Sequence, residues 1–272
     1  MINEKFAELK SKKQGAFMTH VYYGDPDENF SVELIKTLIR NNVDIIEFGI
    51  PFSDPTADGP TFMNACTRAI KNSMTPAKCI EGIKKIRAVN KSIPVIVTSY
   101  FNIVYQYGVE KFIKDIKQAG AEGLIIPEAV IEESDDLQNY GTMHGIDIIY
   151  LIGPYSTDER IKKIVKKASG FLYLCAVAGV TGVRENLNNS ILDLIKRTRR
   201  YTDLPLMVGF GISKPEHAKI LLENGADGII IGSAVGKIYE KYISKDRIID
   251  ENRCLDEVSG FIKEIKDACN KE

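Results

Sequence analysis

The chain has 272 residues, 44% of them hydrophobic, enough to bury the core of one large α/β barrel or of two small domains. Its 36 basic and 37 acidic residues are mixed along the chain and leave a net charge of −1, so no basic stripe points to nucleic acid. The five cysteines show no C-x-x-C spacing and the three histidines lie far apart, which argues against a disulfide framework or a metal centre and for a reduced, cytoplasmic protein.

Residues 1–13, MINEKFAELKSKK, read as a charged amphipathic helix with Phe6 and Leu9 on its apolar side, and lack the apolar segment of a signal peptide. The apolar runs, such as 228–231, are too short to span a bilayer. After Gly15, AFMTHVYY is predicted as a first strand, stopped by the turn Gly24-Asp25-Pro26. A helix with Phe30, Leu34, Ile35, Leu38 and Ile39 at helical spacing follows. VDIIEFG is the second strand, closed at Glu47, and it runs into a Pro/Gly/Asp-rich loop ending at Pro60. Residues 61–72 form a helix, and Thr75-Pro76 caps another through Ile80, Ile83 and Ile86. PVIVTSY, GLIIPEA and DIIYLIG are strands three to five, with helices at 108–120 and up to about residue 143. A capping box at 156–159 opens the next helix. FLYLCAV is strand six, followed by the Gly-rich AGVTGVREN and the helix ILDLIKRTRR. Strand seven is LPLMVGFG, with a second capping box at 213–216. GIIIGSA is strand eight, passing into a helix at Val235, and a last helix holds Val258, Phe261 and Ile265.

These are eight strand-then-helix units of roughly 25–35 residues, the rhythm of a closed parallel (β/α)8 barrel, here with an extra N-terminal helix and additional helices. The expected organisation is one TIM-barrel domain over 1–272. Continuous apolar strands suit a sheet buried on both faces. NNVDIIEFG, AGAEGLIIP and NGADGIIIG repeat one unit: a helix end, a small turn, an acid, a buried strand. A doubly wound open sheet ranks lower, because no G-x-G-x-x-G follows a strand.

In such barrels the chemistry lies at the carboxyl ends of the strands. Alternation puts Val43, Ile45 and Glu47 on one face of strand two and Asp44, Ile46 and Phe48 on the other. A carboxylate beside β-branched apolar residues loses solvation and rises in pKa, which suits general acid/base work; a buried glutamate paired with a lysine or arginine is the equal alternative. Asp58, in ADGP, is on its own a turn acid. The last three strand ends carry Gly179 and Gly182, Gly209-Phe210-Gly211, and Gly232-Ser233, with helices opening behind the last two; such clusters fit a phosphate. The other ends are aromatic or apolar: Phe48, Tyr100, Leu151, Tyr173 and Phe210. Together they suggest a flat, largely apolar substrate with a phosphate tail.

The run IEFGIPFSDPTADGP resembles the signature of the tryptophan synthase α subunit family. GDP at 24–26, AGVTGVR at 178–184, VGFGIS at 208–213 and GADGIIIGSA at 225–234 are similar to four more of its blocks, in the same order over nearly the whole chain. The resemblance implies retro-aldol cleavage of indole-3-glycerol phosphate to indole and glyceraldehyde 3-phosphate, with no cofactor on this chain. It implies a β subunit carrying pyridoxal phosphate, in an α2β2 heterotetramer, that joins the indole to serine. Glu47 and Asp58 would be catalytic. Tyr100, Tyr173, Thr181 and Phe210 would contact the substrate, with Thr181 closing onto Asp58. Gly182, Gly211, Gly232 and Ser233 would hold the phosphate, and loop 51–60 would touch the partner. A free-standing lyase and a non-catalytic regulator of the β subunit are the alternatives. The chain departs from the family pattern at Tyr22, Tyr23, Met63, Ile103, Glu128 and Ala176. Both tyrosines are expected to face the site, where they narrow the pocket or alter how the loops couple to the partner.

Overall fold

The computed structural model describes residues 1–175, 189–209 and 211–270. Helix α1 (Ile2–Ser11) precedes strand β1 (Ala16–Tyr22), and α2 (Glu28–Arg40) leads to β2 (Ile45–Gly49). Two helices, α3 (Pro60–Lys71) and α4 (Pro76–Val89), come before β3 (Val95–Thr98); α5 (Phe101–Tyr107) and α6 (Val109–Ala119) come before β4 (Gly123–Ile125). Then follow α7 (Asp135–His144), β5 (Asp147–Ile152), α8 (Asp158–Lys167), β6 (Leu172–Cys175), α9 (Asn189–Arg199), β7 (Leu206–Gly209), α10 (Pro215–Glu223) and β8 (Gly228–Ile231). The chain ends in α11 (Ser233–Glu240), a small hairpin of β9 (Ile243–Ser244) and β10 (Arg247–Ile248), and α12 (Glu251–Ala268).

Strands β1 to β8 pair in sequence order, all parallel, and β8 closes on β1. This is the expected (β/α)8 barrel. Alternate residues point inward, and Met18, Ile45, Ile96, Ile149, Phe171 and Met207 pack in one interior cluster with Ile2, Phe6 and Leu9 of α1. The N-terminal helix therefore plugs the foot of the barrel, with Phe6 and Phe171 ring to ring at 6.0 Å. The opposite parity, including Phe17, Ile46, Phe48 and Val97, packs outward against the helices.

The repeated acid closes the foot of the barrel. Asp44, Glu122 and Asp227 each accept a backbone N–H from the foot of the preceding strand: Phe17 at 2.8 Å, Val95 at 2.7 Å and Leu206 at 2.9 Å. Each is also neutralised by a cation, Lys266, Arg87 and Arg199 respectively. The sequence repeat is thus a clamp used three times.

Several boundaries differ from the sequence reading. Strand β2 runs past Glu47 to Gly49, and Val43 lies before it, packed in the outer cluster rather than beside Glu47. The helix after residue 156 is capped by Thr157, whose hydroxyl accepts the Arg160 N–H, one residue later than the box at 156–159. Helix α10 starts at Pro215 with Lys214 in the cap position, not Ser213, and α11 starts at Ser233, two residues before Val235. Helix α5 and the β9–β10 hairpin were not anticipated. The α5 start is held from elsewhere: the Phe101 N–H donates to Glu128 Oε1 at 2.5 Å, so a carboxylate from the β4 end serves its N-terminus.

Candidate active site

Glu47 points into the carboxyl-end mouth of the barrel and is 2% exposed. Its register neighbours are His20 on β1 and Ile96 on β3. The Thr98 hydroxyl donates to Glu47 Oε1 at 2.7 Å, and His20 Nδ1 lies 3.4 Å from the same oxygen. Oε2 is buried and, among the described residues, has no hydrogen-bond partner. No lysine or arginine among the described residues pairs with Glu47, which weighs against the paired-core alternative. Burial, with the Thr98 hydroxyl acting against it, pushes the carboxyl up to about 7. Glu47 shares the inward parity of Ile45, as the alternation along β2 predicts, and its raised pKa follows from the burial this imposes.

Asp58 is buried too, at 5% exposure, although its loop is largely polar. Two tight backbone bonds fold the loop back, Thr56 N–H to Asp54 and Asp58 N–H to Pro55. The Tyr22 hydroxyl donates to Asp58 Oδ2 at 2.5 Å and the Tyr100 hydroxyl to the same oxygen at 2.8 Å. Tyr100 also accepts the Ala57 N–H at 3.2 Å and stacks on Phe52 at 5.2 Å, so it ties the loop to the end of β3. Burial raises the Asp58 carboxyl; the proximity of His20 and the two hydroxyls oppose it, and Glu47 adds to it. Asp58 is therefore a held residue of the mouth, not a solvated turn acid.

Of the two unusual tyrosines, only Tyr22 faces the site. It packs with Phe62, Ala65 and Cys66 of α3. Tyr23 has the opposite parity: it stacks on Phe48 at 4.8 Å and donates to Glu28 at 2.8 Å, outside the barrel. Tyr173 points inward from β6, packs against the interior cluster, and lies directly over Gly209, where a Cβ would collide with its ring. Burial first, and then the nearby Glu47 charge, push its hydroxyl well above its usual pKa.

On the far side of the mouth, Gly211 follows β7 with φ +50, a conformation that favours glycine. Gly232 is the N-cap of α11 and Ser233 its first residue, buried at 7% exposure. The first N–H groups of that helix have no helical carbonyl to meet, so they are available to an anion. A Cβ on Gly232 would strike Phe62 at 2.6 Å. Thr181, Gly182, Phe210 and Ala176 lie outside the described residues.

Sequence reasoning missed His20 and Thr98. Both share the inward parity of Met18 on β1 and Ile96 on β3, and the period-two alternation of those strands was the available signal. An acid near neutral pKa beside a second buried acid, with aromatic rings and a glycine-led helix start on one rim, fits proton transfer on a flat phosphorylated substrate.

Comparison with known proteins agrees. The family model described as tryptophan synthase alpha chain matches residues 6–270. The tryptophan synthase alpha chain of Methanocaldococcus jannaschii is 43% identical over 251 residues, covering 92% of this chain and 89% of the relative. That of Methanosarcina barkeri is 42% identical, covering 97% and 95%. A solved structure of Mycobacterium tuberculosis tryptophan synthase superposes with a TM-score of 0.90 at 28% identity, covering 100% of this chain and 98% of that one. Tryptophan synthase subunit alpha from Legionella pneumophila superposes at 0.87 and 29% identity, covering 98% and 97%.

Proposed function

The chain belongs to the tryptophan synthase alpha chain family, and from that premise we propose that Glu47 and Asp58 are the two carboxylates that carry its reaction. The reaction itself is the family's carbon–carbon lyase step, cleavage of indole-3-glycerol phosphate to indole and glyceraldehyde 3-phosphate in tryptophan biosynthesis. The observation that carries the proposal is the Glu47 carboxyl: buried, near neutral pKa, and with Oε2 unpartnered among the described residues at the mouth of the barrel.

Glu47 delivers a proton to indole C3, leaving positive charge on the ring nitrogen. Asp58 accepts the indole N–H and stabilises that charge. A proton then leaves the C3′ hydroxyl, the C3–C3′ bond breaks, its electron pair restores the indole ring, and the hydroxyl oxygen becomes the aldehyde carbonyl. One carboxyl gives a proton and receives one, so Glu47 ends as it began and no oxidant or cofactor on this chain is required. Tyr173, above Gly209 and beside Glu47, assists at the reacting glycerol, and Tyr100 positions Asp58. Gly182, Gly211, Gly232 and Ser233 receive the phosphate, Phe210 contacts the indole, and Thr181 closes onto Asp58 to exclude water.

The family implies a β-subunit partner. Beyond that we read the assembly as an α2β2 heterotetramer whose β subunit holds pyridoxal phosphate and consumes the indole, with loop 51–60 at the contact. We read the chain as one cytoplasmic domain over 1–272; α1 seated in the barrel foot and the Gln14–Asn270 bridge support a single unit. No helix among the described residues is long and apolar enough to cross a membrane.

Indole release from indole-3-glycerol phosphate, measured with and without a β subunit, tests the reading. Cleavage is expected from the chain alone and to rise strongly with the partner. Glu47→Gln should lose at least a hundredfold in kcat while still binding glyceraldehyde 3-phosphate. Near-normal turnover by that variant would remove Glu47 from the mechanism. A chain that stimulates the β subunit but never yields indole would make it a regulator, and fast release indifferent to the β subunit would make it a free-standing lyase.

A further inference from the structure

We propose that His20 is a positioning residue of the cleavage reaction: with Thr98 it fixes one oxygen of the Glu47 carboxyl, Oε1, and so presents the other, Oε2, to the substrate. The inference rests on Glu47 being the acid that exchanges protons.

The geometry around the carboxyl is asymmetric. Oε1 has two neighbours, the Thr98 hydroxyl at 2.7 Å and His20 Nδ1 at 3.4 Å. Oε2 is buried with no partner among the described residues. A carboxyl held this way can pass a proton only through Oε2. The imidazole is itself held, packed between Tyr22 at 4.8 Å and Phe62 at 4.6 Å. Its far nitrogen, Nε2, is buried and unpartnered among the described residues. The space it occupies exists because residue 49 is glycine: a Cβ there would meet Nε2 at 2.6 Å and the Tyr22 ring at 2.7 Å. A buried histidine whose outer nitrogen has no partner among the described residues, seated over a glycine and turned toward one oxygen of an acid, is costly to keep as filler.

Burial lowers His20 to about 4, with the Asp58 charge acting against it, so the ring is neutral when Glu47 titrates. A neutral imidazole has one N–H. The tautomer with the proton on Nδ1 offers it to Oε1. At 3.4 Å the contact is longer than an aligned hydrogen bond. It tightens as charge develops on Oε1 once the proton has left Oε2, and so favours donation to the substrate. Among the described residues, the titratable groups that face the pair are Asp58 from the loop, Tyr22 from β1, and Tyr173 and Cys175 from β6; α3 presents Phe62, with Cys66 packed against Tyr22. None of these is a cation, so the N–H of His20 and the O–H of Thr98 supply the stabilisation of the carboxylate.

The test is steady-state indole release by the full chain with a β subunit present, over a range of pH. His20→Phe keeps a ring against Tyr22 and Phe62 but removes both nitrogens. It should lower kcat roughly tenfold, leave KM for indole-3-glycerol phosphate within about twofold, and move the Glu47 titration in kcat to higher pH, because the carboxylate has lost a donor. His20→Asn, which keeps an amide near the Nδ1 position, should recover most of the rate and return the titration. Filler would show neither the pH shift nor the recovery. An unchanged kcat and pH profile in His20→Phe, or no recovery in His20→Asn, overturns the proposal. If His20→Phe does not fold, His20→Leu takes its place in the same comparison. Glu47→Gln is run alongside: activity in that variant would fail the Glu47 assignment itself, whereas an inactive Glu47→Gln with a fully normal His20→Phe would fail only the role of His20.

Discussion

Glu47 places its function and its stability in opposition. The unfolded chain ionises this carboxyl at its ordinary value of 4.5, and the folded chain only near 7. The folded state therefore keeps a proton that the unfolded state has lost, and stability falls as pH rises from 4.5 to 7, with the cost fully present above that window. A rise from 4.5 to about 7 corresponds to about 3 kcal/mol. Glu47→Gln cannot ionise, so it should be more stable than the parent by about that amount at pH 8 and no more stable at pH 4. Urea unfolding at the two pH values checks this; an equal difference at both would show that the effect is packing rather than ionisation. The acid was legible in the sequence because a period of two puts it inward with Ile45. What selects it from other buried acids, an Oε2 with no partner and a carboxyl with no cation among the described residues, depends on residues from β1 and β3 that sequence spacing does not bring together.

Among the elements, the strands were legible and the caps only in part: Thr75 caps α4 as read, its hydroxyl accepting the Lys78 N–H, whereas the two capping boxes shifted. Strands buried on both faces declare themselves as apolar runs, and the repeated acid before three of them marked the clamp at the barrel foot. Glu122 is the most buried of the clamps by side chain, taking the Val95 N–H and a two-oxygen contact from Arg87 at 2.7 and 2.5 Å. Glu122→Ala leaves that donor without its acceptor and the half-buried guanidinium without its counter-charge, and should cost roughly 3 kcal/mol, seen as a lower urea midpoint at unchanged slope. Glu122→Gln keeps an acceptor and should cost less; an alanine variant as stable as the parent would reduce the clamp to coincidence. Helix α5 shows the limit of local reading. FNIVYQY carries no charged face, and its N-terminal carboxylate, Glu128, is 27 residues distant. The two capping boxes erred for a related reason: a box-like spacing occurs at adjacent registers, and only the backbone chooses which residue is extended at the cap.

Across the whole molecule, the barrel must be closed where its first and last strands meet, and Asp25 pins that seam. It lies in the turn after β1, 1% exposed. Arg68 of α3 grips it through Nε at 2.6 Å and Nη2 at 2.9 Å, and Tyr239 of α11, the helix after β8, donates to it at 2.8 Å. The Gly-Asp-Pro block, read from sequence as a turn, is thus a turn whose acid binds two helices. Helix α11 also begins at Ser233, so the same pin orients the N–H groups assigned to the phosphate. Arg68→Met strands a buried carboxylate and should cost about 3–5 kcal/mol. Adding Asp25→Asn removes the charge that was stranded, and stability should largely return. The two readouts then separate. If the pin only secures the fold, the double variant regains the KM of the parent for indole-3-glycerol phosphate along with its stability. If the pin also aims α11, stability returns while KM stays raised several-fold with kcat little changed, because a misdirected helix start weakens phosphate binding without touching Glu47. The second outcome is the expected one, since the pin sits on the helix whose first residues are proposed to hold the phosphate.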